Sequence, residues 1–395
     1  MAKPGLERGL LHLHRAGIGA IPRARAVRNV RVIGLAALLA GVAAGVVPSQ
    51  GAAAGVRDGA AGQASSSLLY PGLFSVAATS SGNAWAVGEY DSGQVNRTLI
   101  VHWNGKTWRQ VPSPNPSPAG DSLNGVAATS ASRVWAVGEQ NGHSLVLQWN
   151  GKAWRQVRSP DIGNLSSVAA TSATSAWAVG IGGSKGNLTA IMHWNGKTWR
   201  VTPSPVKVGN LQAVAATSAG NAWAVGFSGP WTNSKALAEH WNGKVWQVVH
   251  SPDPANAGIL LGVAATSASN AWAVSGAFRQ GFGSSISVIN HWNGKTWTRT
   301  ASPNPVGGAV FYSVAAISVG NAWSVGTDTH TATWQNVIAH WNGKAWKLVP
   351  SPIGDGSLFG VTAASATSVW AVGAGGSSAI IEHWNGTRWS GATFG

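Results

Sequence analysis

The chain has no cysteine among its 395 residues, only two methionines and three tyrosines, and only 10% charged residues. Without cysteine there is no disulfide framework, no thiolate-ligated zinc or iron–sulfur centre and no thiol nucleophile. Acids are scarce, 12 against 27 Lys and Arg, for a formal charge of +15. Disordered chains are charged and poor in aromatics, so this composition describes a folded protein. Apart from residues 32–47, no stretch is apolar enough to cross a membrane. What the chain holds in excess is glycine, 52 residues, and tryptophan, 23.

Residues 1–54 carry seven Lys or Arg and one acid, a net +6. Arg15, Arg23, Arg25, Arg28 and Arg31 precede the apolar run Val32 to Val47, and Pro48 and Ala52-Ala53-Ala54 follow it. Basic region, apolar core and small-residue site in that order predict a signal peptide over 1–54, cleaved near Ala54. The core is shorter than the roughly 20 residues of a membrane span; an uncleaved anchor is the alternative. Residues 55–70, rich in Gly, Ala and Ser, read as a flexible lead-in. The folded part, 71–395, is therefore expected to be secreted or held at the cell surface.

That folded part is one unit repeated seven times. In the first copy Val76-Ala77-Ala78-Thr79-Ser80 is followed by Asn83-Ala84-Trp85-Ala86-Val87-Gly88 and then by His102-Trp103-Asn104-Gly105-Lys106-Thr107-Trp108. Trp85 recurs as Trp135, Trp177, Trp223, Trp272, Trp323 and Trp370, at spacings of 50, 42, 46, 49, 51 and 47 residues. Each copy adds two tryptophans around an Asn-Gly pair, so 21 of the 23 belong to the repeat and only Trp231 and Trp334 do not.

Within a copy the apolar period is two, in short runs bounded by Gly, Pro, Ser and Asn, which is the pattern of strands. Four strands fit, in the first copy Leu73–Thr79, Ala84–Gly88, Thr98–Trp103 and Thr107–Val111. Asn104-Gly105 reads as a two-residue type I′ turn between the third and fourth, and Pro112-Ser113-Pro114 ends pairing. Four-stranded units of this length repeated around an axis predict an all-β fold, a seven-bladed β-propeller with four antiparallel strands per blade. Its repeats begin near residues 73, 123, 165, 211, 260, 311 and 358. The first and last copies are as apolar as the middle ones, which excludes an open stack with polar ends. Both supply all four strands, so closure by side-chain packing alone is expected.

Alternation puts Trp85 and Val87 on one face of their strand and Ala84 and Ala86 on the other. Stacked blades then seat a large-residue face on a small-residue face, which makes the 21 repeated tryptophans framework. His102, His193, His240, His291, His340 and His383 share one repeat position, with Gln148 in the seventh. Equivalent positions in different blades lie too far apart to share an ion, and an amide can replace a hydrogen-bonding imidazole. No metal and no cofactor is expected.

Antiparallel order places the strand 1–2 and strand 3–4 turns, which are nearly uniform, at one end of the ring. The strand 2–3 loops and inter-blade connections, which vary, fall at the other, and variable loops on a rigid frame are where binding usually sits. Trp231, Trp334, Glu89, Tyr90, Asp91, Arg97, Glu139, His143, Arg279 and Phe282 belong to that variable end. The residue two before the repeated valine of strand 1 is also irregular: Phe74, Asn124, Ser166, Gln212, Leu261, Tyr312 and Phe359. Around the ring these form an aromatic or apolar arc opposite a polar one, a pattern suited to sugars, which stack on aromatic rings and hydrogen-bond to amides and hydroxyls. The opposite end carries Lys106, Lys152, Lys197, Lys244, Lys295, Lys344 and Arg388, solvated charges with an affinity for anionic polymers or membranes as their functional reading. No element suited to a nucleic-acid groove is present.

The recurring Trp-Ala-Val-Gly and Trp-Asn-Gly-x-x-Trp elements resemble the repeats of secreted bacterial propellers grouped with kelch-type or galactose-oxidase-like proteins. Trp-Ala-Val and Trp108-Arg109-Gln110-Val111 are also similar to tectonin-type lectin repeats. The resemblance spans about residues 70–395 and implies the propeller fold. Galactose-oxidase chemistry needs a Cys–Tyr crosslink that this chain cannot make. Sialidase Asp boxes are not matched, since Trp103 stands where the aspartate would be, and no arginine trio accompanies Tyr70, Tyr90 and Tyr312. Paired-carboxylate glycoside hydrolysis has Glu89, Asp91 and Glu139 as its candidates, and a polysaccharide lyase would use His143 or His330 as base.

The expected function is binding of a glycan or cell-wall polysaccharide by a monomer through Trp231, Trp334, Phe74, Tyr312, Phe359, Asn124, Gln212 and Tyr90. The alternatives are an extracellular protein-interaction scaffold, and a lyase or hydrolase with Glu89, Glu139 and His143 as candidates.

Overall fold

The structure, a computed structural model, describes residues 68–183, 186–230, 233–253, 258–278, 285–305, 308–328 and 334–394. The expected signal peptide, most of the lead-in, and Trp231, Arg279, Phe282 and His330 lie outside the described residues. In the first repeat β1 (Leu69–Ser80), β2 (Asn83–Asp91), β3 (Asn96–Trp103) and β4 (Trp108–Gln110) pair in that order, all antiparallel. The same order recurs in seven four-stranded sheets, an all-β seven-bladed propeller.

The first strands of the remaining blades are β5 (Asp121–Ser130), β9 (Asn164–Ser172), β13 (Gly209–Ser218), β17 (Gly262–Ser267), β21 (Ala309–Ser318) and β25 (Ser357–Ser365). Each packs against the first strands of both neighbouring blades, and β25 meets β1, so the cycle is closed. Every sheet consists of four consecutive strands. Closure therefore rests on side chains: Trp370 and Val372 of the last blade pack on Leu73, Ala84 and Ala86 of the first.

The same contact recurs between all neighbours, as alternation predicts. Trp85 and Val87 seat on Leu123, Val134 and Ala136 of the second blade. The Trp85 indole enters between two tryptophans of that blade, 4.9 Å from Trp149 and 5.4 Å from Trp154, the latter edge to face at 84°. At the closing interface Trp370 meets Trp103 and Trp108, each at 5.1 Å. The seven wedge tryptophans are at most 3% exposed, and each stands to remove roughly 150–250 Å² from water. Their Nε1 atoms find no oxygen partner, a cost partly offset by the edge-to-face ring contacts.

The repeated histidines complete this frame. His102 stacks beneath Trp85 at 4.0 Å, and its Nε2 lies 2.8 Å from Asn83 Oδ1. Asn83 in turn donates from Nδ2 to Thr79 Oγ1 at 2.7 Å, which ties β3 to the strand 1–2 turn. Where serine replaces that asparagine, His193 and His383 bond Ser175 and Ser368 instead. Burial lowers the pKa of all six histidines, which favours the neutral ring.

Two local features correct or extend the sequence reading. The repeated Asn-Gly pairs are not type I′ turns. Trp103 pairs with Trp108, which leaves a four-residue loop in which Asn104 Oδ1 accepts from the backbone N–H groups of Lys106 and Thr107, both at 3.0 Å. Only Gly105 has positive φ there, +91°. The asparagine is chosen as a short acceptor that mimics a backbone turn, not for left-handed backbone. Asn141-Gly142, linking paired Gln140 and His143, does have both residues at positive φ, 51° and 84°.

The irregular ring position also has a structural cause. Phe74 falls between the paired residues Leu73 and Ser75 without a partner of its own, and Asn124, Ser166, Gln212, Tyr312 and Phe359 are likewise skipped by the register. Each is the extra residue of a β-bulge, free of the pairing that keeps its neighbours uniform. The bulge pushes the first strand onto the second, so that a Cβ on Gly88 would collide with the Gly72 carbonyl oxygen. This is the reason for glycine in Trp-Ala-Val-Gly. The fifth blade has Ser275 there, and its β17 begins only at Gly262, beyond the ring position.

Candidate functional site

Strand direction confines the described carboxylates outside the buried strands to one end of the ring. The hairpin end holds the strand 1–2 and 3–4 turns, where Lys106, Lys152, Lys197, Lys244, Lys295, Lys344 and Arg388 are all exposed. The loop end holds the strand 2–3 loops and blade connections, with Glu89, Asp91, Asp121, Glu139, Asp161, Asp253, Asp328 and Asp355. The two other described acids, Glu239 and Glu382, are fully buried within strands. Among the described residues no three His, Asp or Glu groups are placed to share a metal ion.

At the channel mouth the aromatic arc forms, but its rings meet one another. Phe74 and Phe359 lie 5.9 Å apart, and Phe359 and Tyr312 5.5 Å. Tyr312 is 4% and Gln212 5% exposed, while Phe74, Phe359 and Asn124 are half-buried. The Tyr312 hydroxyl is buried beside Thr327, and burial raises its pKa. Asn124 donates to Asn164 Oδ1 at 2.9 Å and to the Leu165 carbonyl at 2.8 Å, across to the next blade. Tyr90 packs against the core between the first and last blades. These residues hold the bulges and blades together, and none offers a fully exposed ring.

The acids of the first two blades do come together. Glu89 is half-buried, and its carboxyl pKa is pushed up to about 8; burial is the main cause, the hydrogen bond from Asn96 opposes it, and the charges of Glu139 and Asp91 add to it. Glu89 is thus a neutral acid near pH 7 beside a second carboxyl group. His143 is not part of this pair: its Nδ1 lies 2.6 Å from Asp161 Oδ2 on the next connection, and both side chains are exposed. Burial tends to raise the Asp161 pKa, but hydrogen bonds from His143 and from the Ser144 and Gly163 backbones outweigh it and lower the value.

The sixth blade presents a groove. Its volume is about 310 Å³, and it lies between the end of β22 (Asn321–Asp328), the start of β23 (Gln335–Trp341), the end of β24 (Trp346–Val349) and the two flanking connections. Val337, Ile338, Leu348, Val349, Pro305 and Pro350 give it apolar walls, and Asp328, Gln335, Asn336 and Ser351 supply polar groups. Asn336 is fixed by donation from Nδ2 to the Ile353 carbonyl at 2.7 Å. Trp334, immediately before the lining Gln335, is 43% exposed, the one exposed indole among the described residues. Its carbonyl accepts from Gly356 N–H at 2.8 Å, which anchors its backbone to the next connection.

The sequence singles out Trp334 but not its neighbours Asp328, Gln335 and Asn336. Asp328 carried a usable signal: with only 12 acids in the chain, one placed six residues before an unpatterned tryptophan is conspicuous. Gln335 and Asn336 carried none, because polar residues open the third strand in several blades.

No family profile and no curated protein sequence matches the chain. Solved propellers do. YCF48 from Cyanidioschyzon merolae is 16% identical over 81% of this chain and 97% of that one, with a TM-score of 0.54. YCF48 bound to D1 peptide is 15% identical over 80% of this chain and 92% of that one, also at 0.54. U3-55K is 12% identical over 78% and 89% of the two chains, again at 0.54. At such identities the likeness is one of fold, and function has to be argued from the site.

Proposed function

We propose that the protein is a secreted or cell-surface glycan-binding propeller that takes a short saccharide segment in the sixth-blade groove at its loop end. The observation that carries this reading is a groove with apolar walls and a few polar groups, one of whose lining residues, Gln335, directly follows the exposed Trp334 in the chain. A sugar ring offers its C–H face to an indole and its hydroxyls to carboxylate and amide groups, here Asp328 and Gln335. The groove volume of about 310 Å³ stands at the lower end of ligand pockets, roughly 300–1,000 Å³, which suits a short segment. The likeness of the repeat to tectonin-type lectin repeats and the signal-peptide pattern of residues 1–54 support the same reading.

A glycan array and a panel of wall polysaccharides test it. The wild type retains a defined saccharide, and Trp334→Ala loses it with an unchanged melting temperature. No retained saccharide, or equal retention by Trp334→Ala, overturns the proposal. The pairing of neutral Glu89 with Glu139 supports a second reading, proton donation to a glycosidic oxygen. Reducing-end release from the same panel, abolished in Glu89→Gln, is its signature.

A further inference from the structure

We propose that the hairpin end of the propeller docks on an anionic lipid bilayer. This rests on the opposite end of the molecule from the glycan reading and is independent of it.

The first observation is placement. Every blade ends its third strand in the same four-residue loop, and every such loop carries one exposed cation, six lysines and Arg388. In each, the asparagine Oδ1 holds the backbone N–H groups two and three residues on, as Asn293 does for Lys295 and Thr296 at 2.9 Å and Asn385 for Thr387 and Arg388 at 3.0 Å. Seven equivalent blades thus set seven cations at one level on tips that are already ordered, so little backbone entropy is lost on contact. Behind them Arg109, Arg155, Arg200 and Lys347 stand exposed on the outer strands, opposite the His and Gln position of β3 and its equivalents.

The second observation is segregation. Among the described residues every carboxylate outside the buried strands belongs to the loop end, and none neutralises the hairpin end. Solubility alone is served by interspersed signs; here the loop end mixes carboxylates with cations such as Arg97, Lys207 and Lys235, whereas the hairpin end is purely cationic, so one side of the disc is the more attractive toward a negative surface. Two exposed apolar residues share the cationic end, Val319 at 67% and Val245 at 52%.

Geometry favours a plane over a strand. Neighbouring loop cations are a whole blade apart, so a linear polyanion crossing the ring reaches only some of them, whereas a flat anionic surface meets all seven together. In this orientation the groove beside Trp334 faces away from the membrane.

The test is co-sedimentation of the full chain with phosphatidylglycerol-containing vesicles and with pure phosphatidylcholine vesicles. The wild type partitions to the anionic vesicles and is released by high salt. Replacing the seven loop cations by glutamine lowers partitioning by about five-fold per charge, and the partial variant Lys106→Gln, Lys197→Gln, Lys295→Gln gives an intermediate loss. The loop-end variant Lys207→Gln, Lys235→Gln partitions as the wild type does. Because the comparison is between full chains, any contribution of residues 1–54 is common to all. Equal partitioning of the wild type and the seven-fold variant, or an equal loss in the loop-end variant, overturns the proposal. Tighter binding to linear polyphosphate than to vesicles at matched phosphate also overturns it, by assigning the face to a linear polyanion.

Discussion

The two ends of this propeller are built from the same strands and yet follow opposite rules. At the hairpin end each blade repeats one solution: an Asx-held loop with one cation at the tip and, in five blades, an indole N–H donated to the adjacent turn, as from Trp103 to the Ser81 carbonyl at 3.0 Å. At the loop end the strand 2–3 loops differ in sequence from blade to blade, and among the described residues there lie the exposed carboxylates, the one exposed indole and the groove of about 310 Å³. The difference shows where packing dictates residue identity. Wedge tryptophan, histidine and turn asparagine are bound to one another, so the hairpin end has little freedom to vary. The loop end lies beyond the bulges, where pairing continues, as between Gly72 and Glu89, but the loops that follow repeat no common turn.

The comparison is broken most severely by removing a wedge. Trp223→Ala empties a site that is fully buried and is expected to cost about 3–5 kcal/mol in denaturant unfolding, whereas Trp334→Ala at the loop end is expected to stay within about 0.5 kcal/mol of the wild type. Next is the glycine beneath the bulge. In Gly226→Ala the new Cβ meets the Asn210 carbonyl oxygen, an overpacking expected to cost about 1–3 kcal/mol or more. Ser275→Gly in the fifth blade relieves no such clash and is expected to lose only the hydrogen bond from the serine to the Ile259 carbonyl.

Titration separates frame from site in a different way. The six repeated histidines have pKa values lowered by burial from 6.5, so their contribution to stability is full above pH 6.5 and declines as pH falls toward the lowered values. Glu239 and Glu382 act oppositely. Their carboxyls are raised by burial from 4.5 to about 7 despite hydrogen bonds from Ser204 and Ser351, so their contribution is full below pH 4.5 and is lost as pH rises through about 7. Between pH 5 and 7 the two trends partly cancel. The denaturation midpoint of Glu239→Gln, Glu382→Gln is expected to rise more steeply with pH over this interval than that of the wild type, and an identical profile would contradict the assignment. A single hairpin tip matters less than a wedge: Asn104→Ala removes the side-chain acceptor of two backbone N–H groups and is expected to cost about 1 kcal/mol in thermal unfolding.

Much of the frame was legible in the sequence because it is repeated. Alternation in Trp-Ala-Val-Gly gave both faces of the blade, and complete terminal repeats gave closure by packing. The sequence reading also isolated the ring from Phe74 to Phe359, but its meaning was hidden: a bulge is a register event between two strands, and neither strand shows it alone. Asn-Gly suggested the wrong turn because the dipeptide does not reveal whether asparagine serves through its backbone, as Asn141 does, or through its side chain, as Asn104 does. The candidate site was legible only at Trp334. The groove joins residues of three strands and two connections, and nothing local in Pro305, Asp328 or Leu348 announces that they meet.

The division of labour between the two ends is tested most directly by hydrogen–deuterium exchange of the full chain with and without the saccharide that it retains. The account predicts new protection confined to the loop end of the sixth blade, over residues 334–338 and 348–351, with the Asn-Gly loops unchanged. Protection at those loops, or spread evenly over all seven blades, would contradict it.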